Sequence, residues 1–340
     1  GLNKHIQTGT HMTNKEIREL FYAYNSRDGE PLKLSKHFDD ALKRHIKRGD
    51  FAEDTIVPIG LGIVQQLRDY SSKHRVHKVV IGMSGGLDSA LTASLFKSAG
   101  WEVTGVTMPI HQLEEETQRG IDACKALEIE HVHIDLTKPF NYYVKFLKDL
   151  DIDFTKELKD LNMKEQTVRK GNVRARLRMI TLYNLASKLG GIVGSTDNFS
   201  ELTAGFWTLH GDVGDVAPIQ SLTKSWEVPA IALAMGVPEN TIHALPTDGL
   251  GISNSDADQL GMNYLEFDIL LTDMLNLPEM SQVHVEEYIN SIDEQEVHDK
   301  AWLVYNRLRN TAFKRANPYN IVHPEYSDRF AKLDKLDRSL

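Results

Sequence analysis

Residues 84–89 combine side chains that can hold a phosphate and a metal ion. The sequence Ser-Gly-Gly-Leu-Asp-Ser follows an apolar run at 79–81, which predicts a buried strand, and precedes a helical pattern. Free backbone N–H groups and the positive end of a helix dipole meet at such a turn and attract anions. Asp88 would repel a bare phosphate, so a cation is needed, and Mg²⁺ commonly accompanies phosphates.

This loop differs from two better known phosphate loops. No Gly-Lys-Ser/Thr follows, as in a Walker A motif, and the glycine spacing is not Gly-x-Gly-x-x-Gly. The alternative interpretation is an ordinary strand-to-helix turn, with Asp88 serving only as a charge at the helix start.

Three arginines, Arg174, Arg176 and Arg178, cluster near the start of a predicted helix. Arg174 and Arg178 share a helix face because they are four residues apart, whereas Arg176 projects elsewhere. Guanidinium groups suit phosphates and carboxylates. On residue types alone, that role and a solvated basic face are equally favoured.

A second polar segment, Gly194 to Glu201, follows the fourth predicted strand. Glu201 could share a metal with Asp88, although Asp197 or Ser200 could merely cap the next helix. Two acids of a later glycine-rich loop, Asp212 and Asp215, are more often turn formers, and an isolated lysine such as Lys224 is usually solvated. His131 and His133 share one strand face without a convincing third metal ligand.

Strands predicted at 79–81, 102–107, 131–134 and 192–195 alternate with helical patterns. Such repetition predicts an α/β fold with a doubly wound parallel sheet, helices on both faces and ligands at the carboxyl ends of the strands. We expect residues 1–11 to be a cloning remnant, 12–50 to be an extra N-terminal helical attachment, and 51–340 to be the catalytic domain.

Composition narrows the possible functions. The 340 residues are 41% hydrophobic and carry a net charge of −9, so we expect no nucleic acid as a partner. No apolar run reaches the length of about 18 residues that a membrane helix needs. The single cysteine, Cys124, excludes an intrachain disulfide, and we expect a cytoplasmic protein.

The order of the motifs resembles one family. Ser-Gly-Gly-x-Asp-Ser is similar to the pyrophosphate loop of N-type ATP pyrophosphatases. The later motifs, Lys-Gly-Asn-x-x-Ala-Arg-x-Arg, Gly-Ser-Thr-Asp-x-x-x-Glu, Gly-Phe-Trp-Thr, Gly-Asp and Leu-Thr-Lys, resemble those of ammonia-dependent NAD⁺ synthetase. The resemblance extends over about residues 56–318 and implies an adenine nucleotide alpha hydrolase-like fold.

It implies a reaction in which the carboxylate of deamido-NAD attacks the α-phosphate of ATP. Pyrophosphate leaves, and ammonia then displaces AMP from the acyl-adenylate to give NAD⁺. The implied partners are therefore deamido-NAD, ATP as co-substrate and ammonia, with Mg²⁺ as the cofactor. The family also implies a homodimer, with the helix that carries Arg176 at the subunit interface.

The resemblance implies roles for particular residues. The loop that binds the ATP phosphates would comprise Gly82, Met83, Ser84, Gly85, Gly86, Leu87, Asp88 and Ser89. Further ATP contacts would come from Thr196, Lys224 and Thr247, and the metal ligands would be Asp88 and Glu201. Deamido-NAD would be bound by Arg176, Asp215, Phe313 and Lys314. The catalytic residues would be Asp212, Asp215 and Lys224, the two acids because a carboxylate can orient or deprotonate ammonium.

Five positions depart from the family pattern. Leu209 and Phe313 replace a lysine and a histidine, Thr107 replaces an arginine, the acidic loop is one residue shorter, and residues 246–250 are rearranged. Adenylation is therefore better supported than the identity of the acceptor. The alternatives are another N-type ATP pyrophosphatase with a different acceptor and a catalytically silent dinucleotide-binding protein. The length leaves no room for a glutamine amidase domain.

Overall fold

A computed structural model of the chain describes residues 12–26, 29–150, 163–243 and 252–336. Its sheet contains four parallel strands, in the spatial order β3-β2-β1-β4: β1 (Lys78–Gly82), β2 (Glu102–Thr107), β3 (Glu130–His133) and β4 (Ile192–Val193). Strands β2 and β3 lie on one side of β1, and β4 lies on its other side. The β1–β4 boundary is therefore the switch point at which such sheets bind ligands.

Helices cover both faces of the sheet, as predicted. Along β1, Val79 and Ile81 belong to one buried hydrophobic cluster and Val80 to another, which is the alternation of a strand buried on both faces. The helices of the strand-helix units are α3 (Glu53–His74), α4 (Leu87–Ser98), α5 (Glu114–Ala126), α6 (Thr137–Asp149), α7 (Met163–Leu189) and α8 (Phe199–Ala204). The predicted α/β class is confirmed.

Two helices precede this unit, α1 (Asn14–Asn25) and α2 (Lys36–Lys47). Thr13 caps α1, because Thr13 and Glu16 form a reciprocal capping box. Phe21 and Phe38 are fully buried in the hydrophobic cluster that also contains Ile81. The attachment thus shares a core with the sheet, and a domain boundary at residue 50 stays a prediction.

The remaining helices are α9 (Glu227–Ala234), α10 (Glu239–His243), α11 (Ile252–Leu260), α12 (Tyr264–Leu275), α13 (Gln282–Asn290), α14 (Gln295–Asn310), α15 (Ala312–Arg315) and α16 (Arg329–Asp334). Among the described residues, no helix combines the length and apolarity that crossing a membrane requires. The expected remnant at 1–11 and almost all of the surface excursion expected at 151–163 lie outside the described residues.

Candidate active site

The loop between β1 and α4 is held in a tight conformation by its own polar groups. Gly85 has a φ of +87°, and a Cβ there would lie 2.8 Å from the Glu116 carbonyl oxygen. The Gly86 N–H donates to Ser84 Oγ over 3.2 Å. Ser89 was expected to offer its hydroxyl to phosphate, but this hydroxyl donates to the Gly86 carbonyl at 3.0 Å. The loop therefore has a fixed shape before any ligand binds.

Two residues of the predicted ATP loop have side chains that face away from any ligand. Met83 and Leu87 belong to the hydrophobic core and are 4% and 2% exposed. Only their backbone groups are left for a phosphate. Gly82, at the end of β1, has the Met108 side chain and Leu182 close to its backbone.

The two predicted metal ligands, Asp88 and Glu201, meet through Asn198. The Asn198 amide donates to Asp88 Oδ2 over 3.1 Å and to Glu201 Oε1 over 2.5 Å. Its oxygen accepts the Glu201 N–H, so Asn198 also caps α8, a role expected of Asp197 or Ser200. The carboxylates come together because Asp88 follows β1 and Glu201 follows β4, on the two sides of the switch point.

Lys224 lies beside this carboxylate pair. Its Nζ is 4.0 Å from Asp88 Oδ2 and lies over the Tyr264 ring at 5.0 Å. Burial raises the pKa of Glu201 to about 8, although the Lys224 ammonium favours the ionised carboxylate. Burial also raises the pKa of Asp88, against the effects of Lys224 and Asn198. Two buried carboxyl groups therefore share one ammonium group, and a further cation would favour their ionised forms.

Whether Mg²⁺ fits can be tested on the side chains themselves. Asp88 Oδ1 is buried and accepts no hydrogen bond within the described part of the chain. In that same part, no group of three His, Cys, Asp or Glu side chains could hold a metal ion. Mg²⁺ usually binds through one or two carboxylates together with phosphates and waters, so the pair Asp88 and Glu201 fits the ion when ATP is present.

Asp268 was not found from the sequence, yet it connects the two halves of the site. Its Oδ1 accepts from the Ser200 hydroxyl at 2.5 Å, and its Oδ2 accepts from the Ser225 N–H at 2.9 Å and the Ser225 hydroxyl. Ser200 precedes Glu201, and Ser225 follows Lys224. This carboxylate is fully buried, and burial raises its pKa to about 7. No local pattern in the sequence could have identified it.

The two acids of the glycine-rich loop have different environments. Asp215 accepts from the Tyr183 hydroxyl and from the Val193 N–H, both at 2.9 Å, so both of its oxygens are bonded to the fold. Asp212 accepts the Thr208 N–H, and burial raises its pKa, against the charges of Arg178 and Lys314. Arg178 and Lys314 are therefore among the charges that surround Asp212.

The arginines separate as their spacing predicted. Arg178 is largely buried and donates to the Met108 carbonyl, while Arg174 lies over the Phe140 ring at 4.9 Å. Arg176 is exposed on a different side of α7 and donates to the Leu209 carbonyl at 3.1 Å. Leu209 is one of the departures from the family pattern. Its backbone carbonyl therefore contacts Arg176, the residue that was predicted to bind deamido-NAD.

Other predicted residues vary in their placement. Lys314 Nζ donates to the Gly205 and Trp207 carbonyls at 2.7 and 2.6 Å, whereas Phe313 is 63% exposed. Thr196 is half-buried after β4, and Thr247 lies outside the described residues.

His131 and His133 do share a face, and both contact the Thr107 hydroxyl at 2.8 Å. Asp197 is 5% exposed, with one oxygen bonded to Gln220 and the other without a partner in the described residues.

Comparisons with known proteins identify the family of the chain. A family model described as NAD synthase matches residues 61–318. Ammonia-dependent NAD⁺ synthetases of Alkaliphilus oremlandii and Pyrococcus furiosus are 32% and 31% identical, over 75% and 78% of this chain and 93% and 95% of their own lengths.

Two solved structures, an NH3-dependent NAD synthetase from Campylobacter jejuni and an NMN synthetase from Francisella tularensis, each align with a TM-score of 0.58 and 26% identity. Each covers 78% of this chain, and the aligned parts are 98% and 97% of those proteins.

Proposed function

Because this chain belongs to the NAD synthase family and is an ammonia-dependent member of it, we propose that Asp88, Glu201 and Lys224 form its adenylation site. The family reaction is the ATP-dependent amidation of deamido-NAD to NAD⁺, which makes the protein a ligase. The observation that carries the assignment is the meeting of Asp88 and Glu201 at the β1–β4 switch point, with Lys224 beside them.

In the adenylation step, a carboxylate oxygen of deamido-NAD forms a bond to the α-phosphorus of ATP as the bond to pyrophosphate breaks. The preformed loop at 84–89 presents backbone N–H groups to the phosphates. Lys224 stabilises the negative charge that moves onto pyrophosphate. Asp88 and Glu201 would hold Mg²⁺, which would supply positive charge to stabilise the negative charge of the phosphates.

In the second step, the nitrogen of ammonia forms a bond to the acyl carbon. The bond from that carbon to the AMP oxygen breaks, and AMP leaves. Ammonium must lose a proton before it can attack. We assign that role to Asp212, because both oxygens of Asp215 are already bonded to Tyr183 and Val193. Burial raises the pKa of Asp212, which makes its carboxylate a stronger base than a solvated one.

The test is a product assay with MgATP, deamido-NAD and ammonium at mildly alkaline pH. We expect NAD⁺, AMP and pyrophosphate in equal amounts, and Asp88→Ala should abolish all three. Deamido-NMN is the competing acceptor, because the NMN synthetase of Francisella tularensis is as similar as the NAD synthetase structure. If the enzyme prefers deamido-NMN, the assignment of the adenylation site stands and the product is NMN instead of NAD⁺. Full turnover by Asp88→Ala would contradict the site assignment.

We further propose a homodimer that forms through α6 and α7. These helices leave large apolar side chains exposed, with Tyr142 at 76%, Phe146 at 47% and Ile180 at 66%. Light scattering after gel filtration should give twice the chain mass for the wild type and a weaker dimer for Ile180→Asp. A wild-type monomer at tens of micromolar protein would contradict the dimer. A cytoplasmic location stays a prediction.

A further inference from the structure

The N-terminal helices lie before the part of the chain that matches the family, which begins at residue 61. They nevertheless reach the loop that carries Lys224. Asn25, the last residue of α1, donates from Nδ2 to the Ser225 carbonyl and to the Phe21 carbonyl, both at 2.8 Å. One bond ties the amide to its own helix, and the other holds the residue that follows Lys224.

An aromatic cluster of the attachment surrounds the next residue, Trp226. The Trp226 ring is 2% exposed, and its centroid lies 5.0 Å from Phe51 and 5.1 Å from His45. Phe51 in turn contacts Phe21 at 4.8 Å. Two residues of the attachment segment, His45 and Phe51, therefore pack against Trp226, and Phe21 supports Phe51 from behind.

We propose that the attachment positions Lys224 for the ATP phosphates, with Asn25 as the positioning residue. Ser200 and Asp268 hold the N–H groups of Lys224 and Ser225, at 2.9 Å each. Asn25 holds the Ser225 carbonyl on the opposite side. Without Asn25, the Ser225 carbonyl loses its side-chain donor, and the backbone that carries Lys224 is held less firmly beside Asp88. The proposal rests on the proposed contact between Lys224 and ATP.

The test is the dissociation constant of MgATP, measured by calorimetry on full-length variants. Asn25→Ala should weaken binding about fivefold, the equivalent of one lost hydrogen bond. The same change in a Lys224→Ala background should have no further effect, because its action passes through Lys224. Should Asn25→Ala not fold, Asn25→Leu removes the donor amide without adding a charge and serves in its place.

Asp39→Asn is the matched control within the attachment. Asp39 accepts from Arg18 and Tyr22 and pairs with Lys43, so this change loosens α1 and α2 without touching the Lys224 loop. It should lower the thermal midpoint and leave MgATP binding unchanged. The positioning role would be overturned if Asn25→Ala weakened MgATP binding equally in the wild-type and Lys224→Ala backgrounds, or in neither of them. NAD⁺ formation by the wild type tests the proposed function separately.

Discussion

Two adjacent glycines of the phosphate loop should respond very differently to alanine. At Gly85, φ is +87°, and the added Cβ would lie 2.8 Å from the Glu116 carbonyl oxygen and 3.1 Å from Arg119 Cβ. Holding alanine at positive φ costs about 1–2 kcal/mol, and the overpacking costs about 1–3 kcal/mol. We therefore expect Gly85→Ala to lower the free energy of unfolding by about 2–5 kcal/mol.

Gly86→Ala is the matched control. Gly86 has an ordinary φ of −87° at the N-cap of α4, and its Cβ would meet only Ser84 Oγ, at 3.3 Å. That hydroxyl accepts the exposed Gly86 N–H and can rotate away only by losing this bond, so the expected cost is the lost bond and the weaker N-cap preference of alanine, about 1 kcal/mol or less for each.

Urea unfolding followed by the fluorescence of the four tryptophans measures both variants. Pyrophosphate exchange into ATP, in the presence of deamido-NAD, then separates folding from phosphate binding. Gly86→Ala should remain folded and yet lose exchange, since a methyl group there would stand between the backbone and a phosphate. Losses of stability that agree within about 0.5 kcal/mol, the usual scatter of surface variants, would refute the reasoning about Gly85.

Asp268→Asn should lower the free energy of unfolding by about 1–3 kcal/mol, because one of the two carboxylate oxygens becomes an NH2 group that cannot accept from its buried serine partner, Ser200 or Ser225. The exposed Asp258→Asn should change it by less than about 0.5 kcal/mol in the same urea titration. A loss no larger than that of Asp258→Asn would contradict the role of Asp268. The hydrogen bond from His45 to Asp273 raises the pKa of His45, so its stabilisation is complete below about pH 6.5 and is lost as pH rises through the folded pKa. Urea titrations at pH 6 and pH 9 should show this decline in the wild type and not in His45→Gln; an equal decline in both would assign it to other groups.

The sequence determined the features whose causes lie within a few residues. The phosphate loop at 84–89 could be predicted because a strand, a glycine turn and a helix follow one another in the sequence. Strand β2 was predicted with its observed bounds. The parallel sheet followed from the repeated strand-helix units.

The local signals could not choose among side chains of similar chemistry. Asp212 and Asp215 look equivalent in a glycine-rich loop, and only the packing of α7 and β4 gives Asp215 its two bonds, to Tyr183 and Val193. The same holds for the cap of α8, where Asn198 took a place expected of its neighbours. Several polar residues in one segment compete for the same backbone groups, and the three-dimensional arrangement selects among them.

Only the tertiary structure decided which distant residues meet. Asp88 and Glu201 face each other because β4 pairs with β1, and this strand order is not encoded in either motif. Asp268 and Asn25 reach the Lys224 loop from α12 and α1, across separations of 43 and 200 residues between hydrogen-bonded partners. A hydrogen bond of this kind depends on where packing brings two helices together, because periodicity reports only which face of each helix is buried.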